Sequence, residues 1–155
     1  MQILFAAALA KPFRFRDKVG MTTELHVLAW GCILALVHIF AAVRVKTQQY
    51  GTKWNTGARD EALPPPDKPI VGRLARAQAN FFETFPLYAA GALIVVVAHL
   101  NNRWTAIGAL LWIAGRVVYL PLYALGVPVA RTIAFLVSLA GIIMVLRPAL
   151  MAVFH

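Results

Sequence analysis

Residues 104–125 read WTAIGALLWIAGRVVYLPLYAL, and residues 130–154, just beyond Gly126-Val127-Pro128, read ARTIAFLVSLAGIIMVLRPALMAVF. Each run is long enough for a bilayer core, which needs roughly 20 mostly apolar residues. Arg116 is the one charge inside the first run, and Arg131 and Arg147 stand near the two ends of the second. A break this short, built around Gly and Pro, leaves room for a turn and nothing else, so the two runs are antiparallel neighbours. This pair decides the fold class: an all-α integral membrane protein.

Upstream, Asn101-Asn102-Arg103 is a second tight turn, and residues 77–100 form another apolar span. Its helix begins near Ile70 and passes through Arg73, Arg76, Asn80 and Glu83 without a breaker until Pro86, which bends it in a way neighbouring helices tolerate. Residues 25–43 form the first span, closed by Arg44 and Lys46. Between them, residues 44–72 read as a surface loop, because Gly51, Gly57 and Pro64-Pro65-Pro66 break helices and Arg59-Asp60-Glu61 supplies solvated salt bridges. The expected architecture is a four-transmembrane-helix bundle with spans at about 25–43, 77–100, 104–125 and 130–154, making one membrane domain over 21–155. Residues 1–20 are a separate extension, either interfacial or the product of a start upstream of Met21. Their apolar stretch is too short to span, and Lys11, Arg14, Arg16 and Lys18 follow it, the reverse of a secretory signal.

Composition agrees with the spans. Of 155 residues 61% are hydrophobic, against roughly 45–50% in soluble domains. The net charge of +9 is concentrated between the spans, where Lys and Arg set topology and meet lipid headgroups, so it is not read as a nucleic-acid footprint. Arg44, Lys46, Lys53, Arg59, Lys68, Arg73, Arg76 and Arg131 share one side, and Arg103 and Arg147 the other. That asymmetry places loop 44–72 in the cytoplasm. The single cysteine, Cys32, lies inside the first span, which excludes an intrachain disulfide and a Cys-based metal site and leaves a small buried hydrophobe. No metal site is expected. His38 reads as an interhelical hydrogen bonder, and His26 and His99 as interfacial.

Polar side chains within membrane helices usually face a partner or a water-filled cavity. At about 100° per residue, Arg76, Asn80 and Glu83 fall within about 60° on the helix wheel, with Arg73 close to the same stripe. Arg116, Tyr119 and Tyr123 form a second stripe of the same width on the third span. Guanidiniums beside phenols, an amide and a carboxylate suit a small anion that also carries an ammonium group. Arg can also stabilise a thiolate. Glutathione, with two carboxylates, an amine and a thiol, fits this inventory. The same residues also fit blander readings: Arg76 and Glu83 as an interfacial pair, Tyr119 and Tyr123 as a headgroup belt, and Arg147 as a snorkelling end residue.

The run Arg76-Ala77-Gln78-Ala79-Asn80-Phe81-Phe82-Glu83-Thr84-Phe85-Pro86 resembles the second-helix signature of the MAPEG family, the membrane-associated proteins of eicosanoid and glutathione metabolism. It is most similar to the family's bacterial microsomal-type glutathione transferases and leukotriene C synthase-like members. Arg116-Val117-Val118-Tyr119, Tyr123 and Arg131 resemble the third-helix motif and the fourth-helix start. The resemblance implies a homotrimer in a bacterial inner membrane, with glutathione as cosubstrate between neighbouring subunits and an apolar small molecule as the second substrate. Arg73, Arg76, Asn80, Glu83, Arg116, Tyr119 and Tyr123 are then the glutathione-binding candidates. Arg131 is the thiolate-stabilising candidate, and Arg44 a second catalytic arginine. Thr84 and Ala79 replace a tyrosine and an arginine of the family's eicosanoid-making enzymes, which points away from that specialisation. The implied activity is a glutathione-dependent transferase or peroxidase acting on apolar electrophiles or lipid hydroperoxides. The alternatives are a non-catalytic lipid-binding scaffold of the same fold and an accessory subunit bound to an unrelated membrane protein.

Overall fold

The computed structural model describes residues 20–58, 60 and 62–152. The reading of segment 1–20, the Arg59-Glu61 pairing and the end of the fourth span at 154 lie outside those residues. Among the described residues four helices follow one another: α1 (Thr23–Thr56), α2 (Pro69–Val97), α3 (Arg103–Leu125) and α4 (Pro128–Met151). Each is long and apolar enough to cross a membrane, and the described residues contain no strand.

The first span and the loop after it differ from expectation. Thr22 caps α1 by accepting from the backbone N–H of Leu25, and the helix then continues well past Val43. From Thr23 to Tyr50 it covers about 42 Å at about 1.5 Å per residue, more than the roughly 30 Å hydrocarbon core. Loss of hydrophobicity at Arg44 ends the membrane span but not the helix, because Lys46, Thr47, Gln48 and Gln49 are all compatible with helical backbone. Gly51 interrupts it, at φ 85° and ψ 165°, a conformation glycine adopts without steric cost. The loop is therefore residues 57–68 rather than 44–72, and the Tyr50 hydroxyl ties it back by donating to the Pro64 carbonyl at 2.9 Å.

The two tight turns form as expected, each with its own chemistry. Asn102 makes a capping box at the start of α3, its side chain accepting from Thr105 N–H while the Thr105 hydroxyl accepts from Asn102 N–H. At the far end Gly126 adopts φ 80°, and the N–H groups of Gly126 and Val127 return to the Tyr123 and Leu122 carbonyls. That pairing is a Schellman termination, which needs the left-handed conformation glycine permits. A Cβ at Gly126 would also lie 2.5 Å from the Arg73 guanidinium carbon, so the glycine makes room for an α2 side chain on the turn.

Helices α3 and α4 touch backbone to backbone. A Cβ on Gly108 would lie 2.7 Å from the Gly141 carbonyl oxygen, one on Gly141 2.5 Å from the Gly108 oxygen, and one on Gly115 2.7 Å from the Ala134 oxygen. These small residues are consumed inside the chain, in its own α3–α4 contact. The core beside this seam is aromatic: Tyr88 and Trp112 stack at 3.9 Å with planes 2° apart, and Phe85, Phe81 and His38 continue the column. His38 hydrogen-bonds through Nδ1 to Leu34 O at 2.9 Å within its own helix, and its Nε2 has no partner in this arrangement. Cys32 is exposed on the outer face of α1 and not a buried hydrophobe, because the small inward position goes to Gly31, under Trp112.

At the end opposite the loop, Glu24 is 1% exposed. Thr105 Oγ1 hydrogen-bonds its Oε1, and the Tyr88 hydroxyl donates to its backbone carbonyl at 3.0 Å, so one acidic residue joins α1, α2 and α3. A buried carboxyl group is tolerated only with such partners.

The α3–α4 seam yields a prediction. Gly141→Ala places a methyl against backbone atoms that cannot give way, as Gly108 O and Trp112 N both lie within 2.7 Å of it. Overpacking of this kind costs about 1–3 kcal/mol, so the variant should melt lower than the wild type in detergent by calorimetry or circular dichroism.

Candidate functional site

Most of the polar residues singled out in the sequence meet at the loop end of the bundle. Ala77, fully buried against Tyr119 and Ala134, lets α2, α3 and α4 approach closely there. Arg76, one residue earlier, is exposed and donates from Nε to the Tyr123 hydroxyl at 3.3 Å. The Tyr123 ring carries Arg131 on its face, the guanidinium carbon 4.5 Å from the centroid, and meets Tyr119 edge-on at 5.3 Å. Arg73 reaches the end of α3, where NH1 donates to the Ala124 carbonyl at 3.3 Å. A cation beside carbonyls at a helix C-terminus is favourable.

Arg116 lies deeper. It is 0% exposed and donates from NH1 to Asn80 Oδ1 at 2.7 Å. Its guanidinium carbon sits 5.1 Å from the Phe135 ring and 5.5 Å from Tyr119, both within cation–π range. Its Nε and NH2 have no hydrogen-bond partner. Because Arg can only donate, the amide oxygen of Asn80 must face Arg116, which turns Asn80 Nδ2 the other way.

Arg73, Arg76, Arg116 and Arg131 thus come from three helices to the loop-side half of the bundle, and among the described residues none of them forms an ion pair. Glu83 is exposed on the face of α2 that carries Arg76, and no bond joins the two, so the interfacial pair is not formed. Tyr119 is 5% exposed and packs in the interior, which removes it from a headgroup belt. Arg44 is exposed on α1 and touches none of the cluster in its own chain. Arg147 is exposed near the end of α4. Thr84 turns its hydroxyl onto the Asn80 and Phe81 carbonyls of its own helix. The described residues hold no group of His, Cys, Asp and Glu able to bind a metal.

Sequence reasoning missed one residue of the cluster and one buried acid at the other end of the bundle. Phe135 stands one helical turn after Arg131, a spacing that puts both on one face of α4. Glu24 was visible as a lone acid in the first turn of an apolar span, with Thr105 in the first turn of α3 as its partner. An apolar cleft of about 360 Å³ also opens between Gly115, Val118 and Leu122 of α3 and Ala130, Ala134 and Val137 of α4.

The fold and site define a four-helix integral membrane protein with an uncompensated guanidinium–phenol cluster at one end. The model of the MAPEG family matches residues 27–151, and the chain belongs to that family. The family includes glutathione-dependent enzymes as well as non-catalytic members. No curated protein and no solved structure matches the chain.

Asn80 and Arg116 can be tested as a unit. Asn80→Leu removes the acceptor that Arg116 NH1 holds, and losing a buried hydrogen bond to a charged group costs about 3 kcal/mol. Adding Arg116→Met removes the stranded charge and should recover most of that loss. Thermal melts of wild type, Asn80→Leu and the double variant check the ordering; a double variant no more stable than Asn80→Leu would contradict it.

Proposed function

We propose that the protein is a glutathione-dependent membrane transferase or peroxidase acting on apolar electrophiles, including lipid hydroperoxides. The observation that carries this reading is the convergence of Arg73, Arg76, Arg116 and Arg131 without an ion pair among the described residues. Guanidiniums held together without counterions suit a ligand with several negative charges. Glutathione fits the remaining groups as well: the Asn80 amide offers a donor to a carboxylate, and the Glu83 carboxylate is free to accept from an ammonium.

When bound, glutathione supplies the sulfur nucleophile. Arg76 and the two tyrosines orient the tripeptide's polar ends, while Arg131 supplies positive charge where the thiol loses its proton, favouring the reactive anionic form. The Tyr123 ring holds the Arg131 guanidinium in place without neutralising it, as a carboxylate partner would. The apolar α3–α4 cleft gives an apolar substrate a place to lodge from the lipid. In the homotrimer that family membership suggests, Arg44, idle within its own chain, serves a neighbouring subunit's site and assists proton transfer. The loop side is then cytoplasmic, where its Lys and Arg residues favour it in an inner membrane.

Thr84 favours a second reading, a non-catalytic lipid-binding scaffold or accessory subunit. Its hydroxyl is spent on its own helix, so it offers nothing where the family's eicosanoid-making enzymes carry a tyrosine.

Calorimetry with the detergent-purified protein separates the readings. Wild type should bind glutathione at millimolar concentration or below, and the double change Arg76→Ala, Glu83→Gln should abolish the signal. Arg131→Ala should retain binding but lose at least about tenfold in conjugation rate, since electrostatic stabilisation of a developing charge is commonly worth this much or more. Full activity in Arg131→Ala would remove the assigned mechanism. Absence of glutathione binding by the wild type would favour the scaffold.

A further inference from the structure

His38 has no part in the site as described, yet it is 1% exposed and has one nitrogen without a partner. Its Nδ1 lies 2.9 Å from the Leu34 carbonyl, and a carbonyl only accepts, so Nδ1 carries the hydrogen. In the neutral ring Nε2 is then a bare acceptor. Arg116, also buried, has the opposite need: Nε and NH2 are donors with no acceptor. The two side chains approach α2 at consecutive residues, His38 stacking on Phe81 at 4.4 Å and Arg116 bonding to Asn80. One buried acceptor without a donor and two buried donors without an acceptor therefore reach neighbouring residues of the same helix. Stranded polar groups of this kind are rare in native proteins and each costs stability.

We propose that His38 is a positioning residue of the guanidinium site, its Nε2 accepting from the edge of Arg116 that Asn80 leaves open. A small swing of the long Arg116 side chain makes the bond while NH1 stays on Asn80. Held from both sides, Arg116 fixes the Asn80 amide with Nδ2 turned toward the ligand. The chain of contacts thus runs from α1 through α3 to a binding group on α2, and His38 itself touches no ligand. The binding half of this inference rests on the glutathione reading above; the pairing of His38 with Arg116 does not.

The test uses full-length protein in detergent and three changes. His38→Phe keeps a ring on Phe81 but removes the acceptor, His38→Gln keeps an acceptor, and Arg116→Met removes the donors. Glutathione Kd by calorimetry should rise about tenfold in His38→Phe, the scale of one lost buried hydrogen bond. It should return to within about threefold of wild type in His38→Gln, and His38→Phe should add nothing in the Arg116→Met background. Wild-type affinity in a folded His38→Phe protein would overturn the positioning role. Independently of any ligand, 15N-histidine NMR should show the His38 Nε2 resonance shift between wild type and Arg116→Met. The resonance is assigned by its loss in His38→Gln. An unmoved resonance means that the pairing does not exist, whatever glutathione does; a moved one with no glutathione binding in the wild type would overturn the functional reading and leave the pairing standing.

Discussion

A guanidinium fully buried between membrane helices is a constraint that neighbouring residues must answer. Arg116 meets it with Asn80 on α2, with the Phe135 and Tyr119 rings, and with little else. The bond to Asn80 fixes how α2 and α3 face each other at that depth, because sliding either helix by one residue turns the amide by about 100°. From that register follow the meeting of Arg76 with Tyr123 and the stacking of Arg131 on the same ring. The site is thus a consequence of how one charge is held inside the bundle.

The close approach of α3 and α4 is the second constraint. Glycines at 108, 115 and 141 bring the helix backbones into contact, and in lipid such packing replaces the hydrophobic drive that joins helices in water. This seam places Arg131 and Phe135 against the tyrosines of α3. At the other end Glu24, Thr105 and Tyr88 tie the first three helices with polar contacts. The bundle is pinned at both ends by polar groups and packed between them by aromatic rings.

Membership in the MAPEG family fits this arrangement, and it accounts for the polar residues along α2 and α3 better than lipid exposure alone would. The positions that depart from the family's eicosanoid-making members have local structural meaning. Thr84 is satisfied by its own backbone, which leaves the space beside Glu83 free of a phenol. The cluster keeps its basic and aromatic groups, and the α3–α4 cleft is lined by small and apolar residues.

Hydrophobic run length and breaker residues determined the four spans, their order and the two tight turns, because a bilayer admits few other structures for such a chain. Helical periodicity likewise grouped Arg76 with Asn80 and Arg116 with Tyr119 on two stripes, since faces of one helix follow from its pitch. The end of α1 was not legible: hydropathy marks where lipid ends, and a helix of polar residues runs on to Thr56 with a kink at Gly51. The orientation of Cys32 was not legible either, as an all-apolar helix has no periodic signal to separate its inner from its outer face. Only the tertiary structure decided which stripe met which, that Arg116 would take Asn80 and Arg76 would take Tyr123, and that Glu24 would be buried. Those outcomes depend on the depth and rotation at which helices pack, set by contacts between residues far apart in the chain.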